Sequence, residues 1–306
     1  MSFYSIAAKT IGGICLFVYF TVLFKDKPRL YDGQIEDELF DKSCKKRTGS
    51  RNRSEEGFHY PNQTFYDLIL SKDPEEWVLQ RPRIPETTKI ICLCLTSNID
   101  YEKRDEIRRS WASKDSPVIK NGTVTPMFLV GNDEEDLGCL AQEQRQNSDL
   151  LIVKTRDSYR GLVYKLLMAY RVISKAYPEA HVVKIDKDVI VNVTKVLELM
   201  NGQTSPYIIF GHVSTEVKAT RTETSRFFVP KTAYEADKHE WYVNGCFYIM
   251  TAQSLSAIVS AASGAKVIEI EDIFFTGILR SRAKLTLTCL PNFYVYHVRF
   301  DVKKKD

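Results

Sequence analysis

The chain has 306 residues, of which 44% are hydrophobic and 27% are charged, so its composition is that of a globular protein and excludes an intrinsically disordered chain. Its 43 basic and 39 acidic residues leave a net charge of +4, which is too small for a basic nucleic-acid-binding domain. No nucleic-acid partner is therefore expected.

The N-terminus contains an apolar segment. Residues 11–24, IGGICLFVYFTVLF, carry no charge, and the apolar character extends back to Phe3 if Lys9 snorkels. A transmembrane helix needs about 20 such residues. An uncleaved signal anchor, a cleaved signal peptide and a buried helix all fit this pattern. Because no small-residue cleavage site follows Phe24, we favour the anchor and expect residues 1–24 to form a cytosolic tip and a membrane-spanning helix.

Residues 25–85 have the composition of a stem. The run 41–54 holds six basic residues without apolar periodicity. A nuclear-localisation signal and a solvated linker both fit that run, and the linker is favoured. Residues 62–80 have enough apolar side chains to dock onto the body. The two prolines of RPRIPE then mark a boundary, so a catalytic body is expected over 86–306.

Sequons and cysteines indicate that this body faces a lumen. Four N-x-[ST] sequons follow the apolar segment, and the expected glycan sites among them are Asn62, Asn121 and Asn52. Six cysteines also follow it and could form three disulfides. Cys92 and Cys94, however, alternate within one predicted strand and equally fit core thiols.

From Lys89 onward, strand and helix patterns alternate. Apolar, β-branched runs predict strands at 90–97, 124–132, 149–154, 181–186 and 205–213, and helical spacing predicts helices at 100–113, 161–177 and 193–201. This alternation predicts a largely parallel sheet that binds ligands at the carboxyl ends of its strands. No glycine-rich dinucleotide motif or P-loop is present.

The run VVKIDKDVIVN places Asp186 and Asp188 at the carboxyl end of a buried strand. Alternation directs both carboxylates to one face and Lys187 to the other. Two like charges this close are unfavourable unless a cation neutralises them, and a hard divalent ion that also binds substrate phosphates would do so. On these residues alone, a charged surface turn is the stronger interpretation.

Further motifs reverse that preference, because in their order along residues 89–300 they resemble those of the inverting β1,3-galactosyl- and β1,3-N-acetylglucosaminyltransferases. They are KRDEIRRSW (103–111) with a preceding serine, MFLVG (127–131), DSYRGLVYK (157–165), VVKIDKDVIVN (182–192), YVNGCFYIMT (242–251) and IEDIFFTG (270–277). The chain departs from the family patterns at Lys187, which replaces an aspartate, at Gly161 and Val163, which replace Asn and Thr, and by one extra residue before Gly277.

The resemblance implies a GT-A fold, an α/β/α sandwich with a mixed, mostly parallel central sheet that binds a nucleotide sugar. It also implies Asp188 as the ligand of Mn²⁺ or another divalent cation and His297 as the residue that completes the metal site, although a lone strand histidine is more often merely packed. Asp186 would contact the ribose or a metal-bound water. Further donor contacts are expected from Ser97, Arg104, Arg108 and Lys165.

Two of these residues have an equally good alternative. Arg104 and Arg108 lie four residues apart on one helical face and could grip a diphosphate, or they could face solvent and pair with Asp105 or Glu106. Asn192 would lie beside the metal site, so its sequon is expected to be unused.

Inverting transfer requires a carboxylate that takes the proton of the acceptor hydroxyl. The resemblance implies Asp272 as this base and Glu271 as an orienting or acceptor-contacting neighbour. Acids that favour a helix N-terminus fit the same EIEDIFF run. Acceptor contacts are expected from Trp241, Tyr242 and Asn244, since aromatic faces suit the apolar side of a pyranose.

Together these features predict a type II Golgi membrane protein with a lumenal domain. It would transfer galactose, or N-acetylglucosamine, from a UDP-sugar to the 3-hydroxyl of a glycan acceptor on lipid or protein. The alternatives are a catalytically silent relative that binds sugars or partner enzymes, and a secreted nucleotide-phosphate hydrolase with the same metal site. The oligomeric state, a homodimer included, stays open.

Overall fold

The described part of the chain is built on one mixed β-sheet. The structure is a computed structural model that describes residues 61–132, 137–291 and 294–297. The strands of the main sheet are β1 (Val78–Gln80), β2 (Ile90–Leu95), β3 (Val124–Gly131), β4 (Leu150–Val153), β5 (His181–Asp186), β7 (Ile208–Ser214), β8 (Tyr242–Met250) and β9 (Thr286–Cys289). A small antiparallel pair is formed by β6 (Val189–Val191) and β10 (Val295–His297).

The strand order in the main sheet is β1-β4-β3-β2-β5-β8-β7-β9. The four strands β4, β3, β2 and β5 are parallel, β8 runs antiparallel to both of its neighbours, and β9 is parallel to β7. The edge strand β1 is antiparallel to β4. The described chain therefore has a mixed α/β fold with a central sheet, and the carboxyl ends of β2, β3, β4, β5 and β7 share one edge.

Helices cover both faces of the sheet. They are α1 (Gln63–Ser71), α2 (Tyr101–Arg109), α3 (Pro117–Lys120), α4 (Gly138–Asn147), α5 (Leu162–Ala176), α6 (Val193–Asn201), α7 (Ala252–Ala261), a π-helix (Ile273–Leu279) and α8 (Arg280–Arg282). One apolar cluster joins α1, α5, α7 and the π-helix to one face, and a second joins α2, α4 and α6 to the other.

Strand β2 shows why the central strands carry nearly continuous apolar runs. Leu93 belongs to the first cluster, whereas Cys92 and Cys94 belong to the second, because successive side chains point to opposite faces. Both faces are covered, so every residue of β2 is buried. The prediction that Cys92 and Cys94 are core thiols is confirmed.

Residues 61–85, assigned from the sequence to the stem, pack as part of the body. Tyr66 and Ile69 of α1 have no exposed surface, and the Tyr66 hydroxyl donates to the Ala262 carbonyl at 2.7 Å. Asn62 caps α1 by accepting from the Phe65 N–H. The predicted docking of 62–80 is confirmed, and all described residues fall within one compact unit, Lys46–Asp306.

Several predictions concern residues outside this description. The membrane anchor at 1–24, the stem up to residue 60 and Asn52 lie there. Within the described ranges no helix is both long and apolar enough to cross a bilayer. Cys139 is disulfide-bonded, whereas Cys92, Cys94, Cys246 and Cys289 are not, so the structure does not form the three disulfides that six cysteines allow.

Candidate active site

A cluster of carboxylates lies where β5 ends and β8 begins. Asp186 is the last residue of β5, and Glu271 and Asp272 open the helical segment that packs on β8. The sheet brings these residues together although the sequence separates them by more than 80 positions, because β5 and β8 are paired neighbours.

Lys184 is the cation at the centre of this cluster. Its side chain is 1% exposed, and its Nζ lies 2.7 Å from Asp186 Oδ1 and 2.8 Å from Glu271 Oε1. It also donates to the Gly245 carbonyl. Burial opposes its charge, but Glu271 and Asp186 outweigh burial and hold the pKa of Lys184 well above its usual value. Lys184 thus joins Asp186 at the end of β5 to Glu271 at the start of the helical segment.

The network extends inward through two buried tyrosines. The Tyr248 hydroxyl lies 3.3 Å from Glu271 Oε2 and 2.7 Å from the Tyr170 hydroxyl. Burial raises the pKa of Glu271 to about 7, with Lys184 opposing and the negative charge of Asp272 adding to the shift. Tyr248 is fully buried.

Asp272 is held in place by backbone donors. Its Oδ2 accepts from the Gly245 N–H and its Oδ1 accepts from the Ile273 N–H, both at 2.9 Å. Burial raises the pKa of Asp272, although these hydrogen bonds oppose the rise. A carboxylate with a raised pKa is a stronger base than an ordinary aspartate, so the environment of Asp272 suits proton abstraction.

The π-helix Ile273–Leu279 fixes this acidic pair to β8. The Thr276 Oγ1 accepts from the Val243 N–H at 2.8 Å and approaches the Val243 and Asp272 carbonyls at 3.1 and 2.7 Å. A π-bulge accommodates one extra residue within a helix. The extra residue before Gly277 therefore lies in a π-helical turn, and Gly277 itself packs closely on Tyr242.

The turn between β5 and β6 carries the predicted metal ligand. Asp188 is exposed and accepts no hydrogen bond from the residues described. Burial raises the pKa of the Cys246 thiol on β8, and the negative charges of Asp186 and Asp188 raise it further. Both carboxylates therefore lie near Cys246. Lys187 and Asp188 form a turn, so strand alternation does not extend to them, and Lys187 contacts Asp100.

The carboxylate oxygens of Asp186 and Asp188 suit a hard divalent cation, because they lie at an accessible turn. No three described His, Cys, Asp or Glu side chains form a group that could hold a metal ion. The backbone of His297 pairs with Val189 and so lies next to Asp188. The side chain of His297 is outside the described set, and its predicted role stays a prediction.

Ser97 and Lys187 are joined through Asp100. The Asp100 carboxylate accepts from the Ser97 N–H and hydroxyl at 2.7 Å and from Lys187 Nζ at 2.6 and 2.7 Å. Burial alone would raise the pKa of Asp100, but the hydrogen bonds from Lys187 and Ser97 outweigh it and lower that pKa. Lys187 thereby ties the Asp186–Asp188 turn to the loop after β2, where Ser97 lies at the predicted ligand-binding edge.

The predicted donor contacts of Arg104 and Arg108 are corrected by the structure. Arg104 has no exposed side-chain surface and forms a bidentate pair with Glu143 at 2.6 and 2.8 Å. Arg108 pairs with Glu143 at 2.6 Å and with Asp149 at 2.8 Å. Both guanidiniums hold α2 to α4, and Arg108 also holds it to Asp149 before β4, so both are structural. Their carboxylate partners are not the alternatives Asp105 and Glu106.

Lys165 is likewise occupied. Its side chain is 3% exposed, and its Nζ donates to Asp157 Oδ1 at 2.6 Å and to the Thr96 carbonyl at 2.9 Å. It therefore anchors α5 beneath the end of β2 and does not present its charge to a ligand. Val163 is fully buried in the core, so its departure from the family pattern changes packing and not a donor contact.

The predicted acceptor residues line the start of β8. Trp241 is 56% exposed, whereas Tyr242 and Asn244 are half-buried. The Ser214 hydroxyl lies 2.6 Å from Asn244 Oδ1 across the β7–β8 pair. Among the sequons, Asn62 and Asn121 are exposed, whereas Asn192 is half-buried and caps α6.

The sequence reasoning missed Lys184 and Gly245 as parts of the site. A cation alternating with Asp186 inside an apolar strand was the available signal for Lys184. Gly245 is the glycine of the YVNGCFYIMT motif, but its neighbours in sequence do not reveal its role, because that role depends on the approach of Glu271. A Cβ at Gly245 would lie 2.6 Å from Glu271 Oε1 and 3.2 Å from Asp272 Oδ2.

Comparison with known proteins gives the family of the chain. The family model described as Galactosyltransferase matches residues 102–291. Beta-1,3-galactosyltransferase bre-2 of Caenorhabditis elegans is 24% identical over 289 residues, which cover 90% of this chain and 78% of that protein. Beta-1,3-galactosyltransferase 4 of Mus musculus is 26% identical over 230 residues, which cover 65% of this chain and 61% of that protein.

Among solved structures, a galactosyltransferase, LgtC, in complex with donor and acceptor sugar analogs has a TM-score of 0.34 at 9% identity. That superposition covers 69% of this chain and 88% of the LgtC chain.

Proposed function

The chain belongs to the galactosyltransferase family and is a hexosyltransferase, and from this premise we propose that it moves galactose, or N-acetylglucosamine, from a UDP-sugar to the 3-hydroxyl of an acceptor glycan. The observation that carries the proposal is the pair of buried Glu271 and half-buried Asp272, joined through Lys184 to Asp186 at the carboxyl edge of the sheet. The sheet order and its ligand edge also support a GT-A type of domain.

In the proposed mechanism, Asp272 accepts the proton of the acceptor hydroxyl as that oxygen attacks the anomeric carbon. Its raised pKa makes it a better base, and the Gly245 and Ile273 N–H groups keep it from rotating away. Glu271 orients the acceptor, and Lys184 holds Glu271 and Asp186 at a fixed separation. Trp241, Tyr242 and Asn244 bind the acceptor sugar.

The donor lies over the turn that follows β5. Asp188, with His297 as its neighbour across the β6–β10 pair, would hold Mn²⁺ or another divalent cation. When bound, the cation supplies positive charge to the departing diphosphate. Asp186 contacts the ribose, and Ser97 lines the adjacent loop.

We further propose that the enzyme acts in the Golgi lumen with residues 1–24 as its anchor, and that its acceptors are glycans on lipid or protein. The exposed sequons at Asn62 and Asn121 support a lumenal position. A homodimer is compatible with this arrangement.

The test is a thermal-shift and transfer assay on the purified full chain with Mn²⁺ and a panel of UDP-sugars. Stabilisation by UDP-galactose or UDP-N-acetylglucosamine should disappear without metal and in Asp188→Ala, but not in Asp115→Ala, which removes an exposed aspartate elsewhere. Asp272→Asn should keep the stabilisation and lose transfer. An unshifted melting temperature with every UDP-sugar would refute the donor assignment, and turnover independent of acceptor would indicate hydrolysis instead.

A further inference from the structure

A long segment leaves the sheet at the edge of the active site. Residues 215–241 connect β7 to β8, and β7 runs parallel to β5 because both are antiparallel to β8. Ser214 therefore lies at the same edge as Asp186. The segment is folded back on itself, since the Arg221 guanidinium donates to the Val229 and Ala236 carbonyls at 2.7 and 2.5 Å. Long ordered loops of this kind commonly carry function.

This segment places an arginine against two exposed aromatic rings. The Arg226 guanidinium carbon lies 4.6 Å from the centroid of the Phe227 ring and 5.4 Å from that of Tyr159. The two rings meet edge to face with their centroids 6.3 Å apart, and Tyr159 and Phe227 are 44% and 42% exposed. We call Tyr159, Arg226 and Phe227 the Arg226 cluster.

The Arg226 cluster adjoins the catalytic carboxylates. Tyr159 lies just before α5, and Lys165 of α5 reaches the end of β2. The next residue, Arg160, forms an ion pair with Glu269, with the guanidinium nitrogen 3.8 Å from Glu269 Oε2. Burial, followed by the negative charge of Asp272, raises the pKa of Tyr159 to about 12, and Arg226 opposes that rise. The charges of Arg226 and Asp272 thus act on the same hydroxyl.

Arg226 differs from the other cations around the site. Lys184, Lys165 and Lys187 each contact a carboxylate at 2.6 to 2.8 Å. Arg226 is exposed and, within the described ranges, forms no hydrogen bond or ion pair. A guanidinium stacked on aromatic rings keeps its edge N–H groups available, and that planar fork suits bidentate binding of an oxyanion.

We propose that Arg226, held by Tyr159 and Phe227, binds an oxyanion of a substrate at the active site. The anion has two possible sources, the diphosphate of the nucleotide-sugar donor or an acidic group on the acceptor glycan. This inference rests on the proposed transferase function and adds a binding residue to it. Arg226 would supply the positive charge for the substrate anion that was expected from Arg104, Arg108 and Lys165, because those three residues are paired with carboxylates of the protein.

The test measures dissociation constants of the purified full chain, with Mn²⁺ present, for UDP, uridine, a glucuronic-acid-terminated disaccharide and its glucose-terminated counterpart. Arg226→Gln should weaken one anionic probe about 10- to 100-fold and leave both neutral probes unchanged, because a hydrogen bond to a charged group is lost. Arg226→Lys, which keeps the charge without the planar fork, should lose less. Lys231→Gln, on the same segment and exposed, is the matched control.

Weaker UDP binding identifies the donor diphosphate as the source, and weaker binding of the acidic disaccharide identifies the acceptor. If Arg226→Gln binds both anions with wild-type affinity, the inference is overturned. The proposed transferase function then still stands, because UDP still binds. A wild-type chain that binds neither anion also overturns it, and loss in Lys231→Gln equal to that in Arg226→Gln would show a general charge effect and would count against it.

Discussion

Replacing Gly245 by alanine tests whether the position of the acidic pair matters for catalysis. A Cβ at this position would lie 2.6 Å from Glu271 Oε1 and 3.2 Å from Asp272 Oδ2, whereas ordinary contacts begin at 3.4 Å. The Glu271 oxygen would therefore have to move by about 0.8 Å, and the Asp272 oxygen by about 0.2 Å, to relieve the overlap. Glu271 is also held by Lys184, so part of this displacement reaches the Lys184–Asp186 pair.

A misplacement near 1 Å can lower a rate about 100-fold, so we expect Gly245→Ala to reduce kcat about 10- to 100-fold while KM for the UDP-sugar changes little. Initial-rate kinetics with saturating acceptor would measure both. Gly202→Ala is the matched control, because its Cβ would meet nothing nearer than 3.7 Å. Wild-type kcat in a folded Gly245→Ala protein would refute the assigned catalytic role of the Glu271–Asp272 pair.

Three further predictions concern charge. Arg104→Met should lower the free energy of unfolding in urea by about 3 kcal/mol, because it leaves the buried Glu143 with Arg108 as its one ion-pair partner. It should leave the affinity for UDP unchanged. A variant that stays as stable as the wild type but loses UDP binding would restore the donor role of Arg104. Glu271 has its pKa raised from 4.5 to about 7, so its stabilising contribution is complete below about pH 4.5 and is lost as pH rises through about 7. In Glu271→Gln this part of the pH dependence should vanish from melting curves recorded between pH 4 and 8, and an unchanged profile would contradict the assignment. Lys187→Asp sets a like charge against Asp100, so the melting temperature should fall at pH 7 and recover towards pH 4 as Asp100 becomes protonated; Lys187→Asn, which adds no charge, should fall less.

Several strands of the sheet could be predicted from local patterns. Short apolar runs predicted β2, β3, β4 and β5 to within one or two residues, because burial on both faces imposes that composition. Helix α2 ends at Arg109, earlier than predicted, and α4 was missed, since its ten residues include only two fully buried positions, Leu140 and Glu143, and so carry a weak apolar pattern.

The sequence by itself determined the family motifs, the strand that ends at Asp186 and the pairing of Glu271 with Asp272 in one acidic run. Only the tertiary structure decided which charges are available to a ligand. Arg104, Arg108 and Lys165 sit in motifs that suggested donor binding, yet each meets a carboxylate. Lys165 pairs with Asp157 within its own motif, whereas Arg104 and Arg108 pair with carboxylates about 40 residues away. The arginine pairings depend on which elements the sheet brings together, and no local spacing encodes them.

The same reason explains the centre of the site. Lys184, Asp186 and Glu271 form one network because β8 lies between β5 and the π-helical segment, and Gly245 is required there because two carboxylates pass over its Cα. Local sequence specifies which residues are polar within an apolar run. The long-range packing of the sheet determines which of those polar groups neutralise one another and which stay free to bind a substrate.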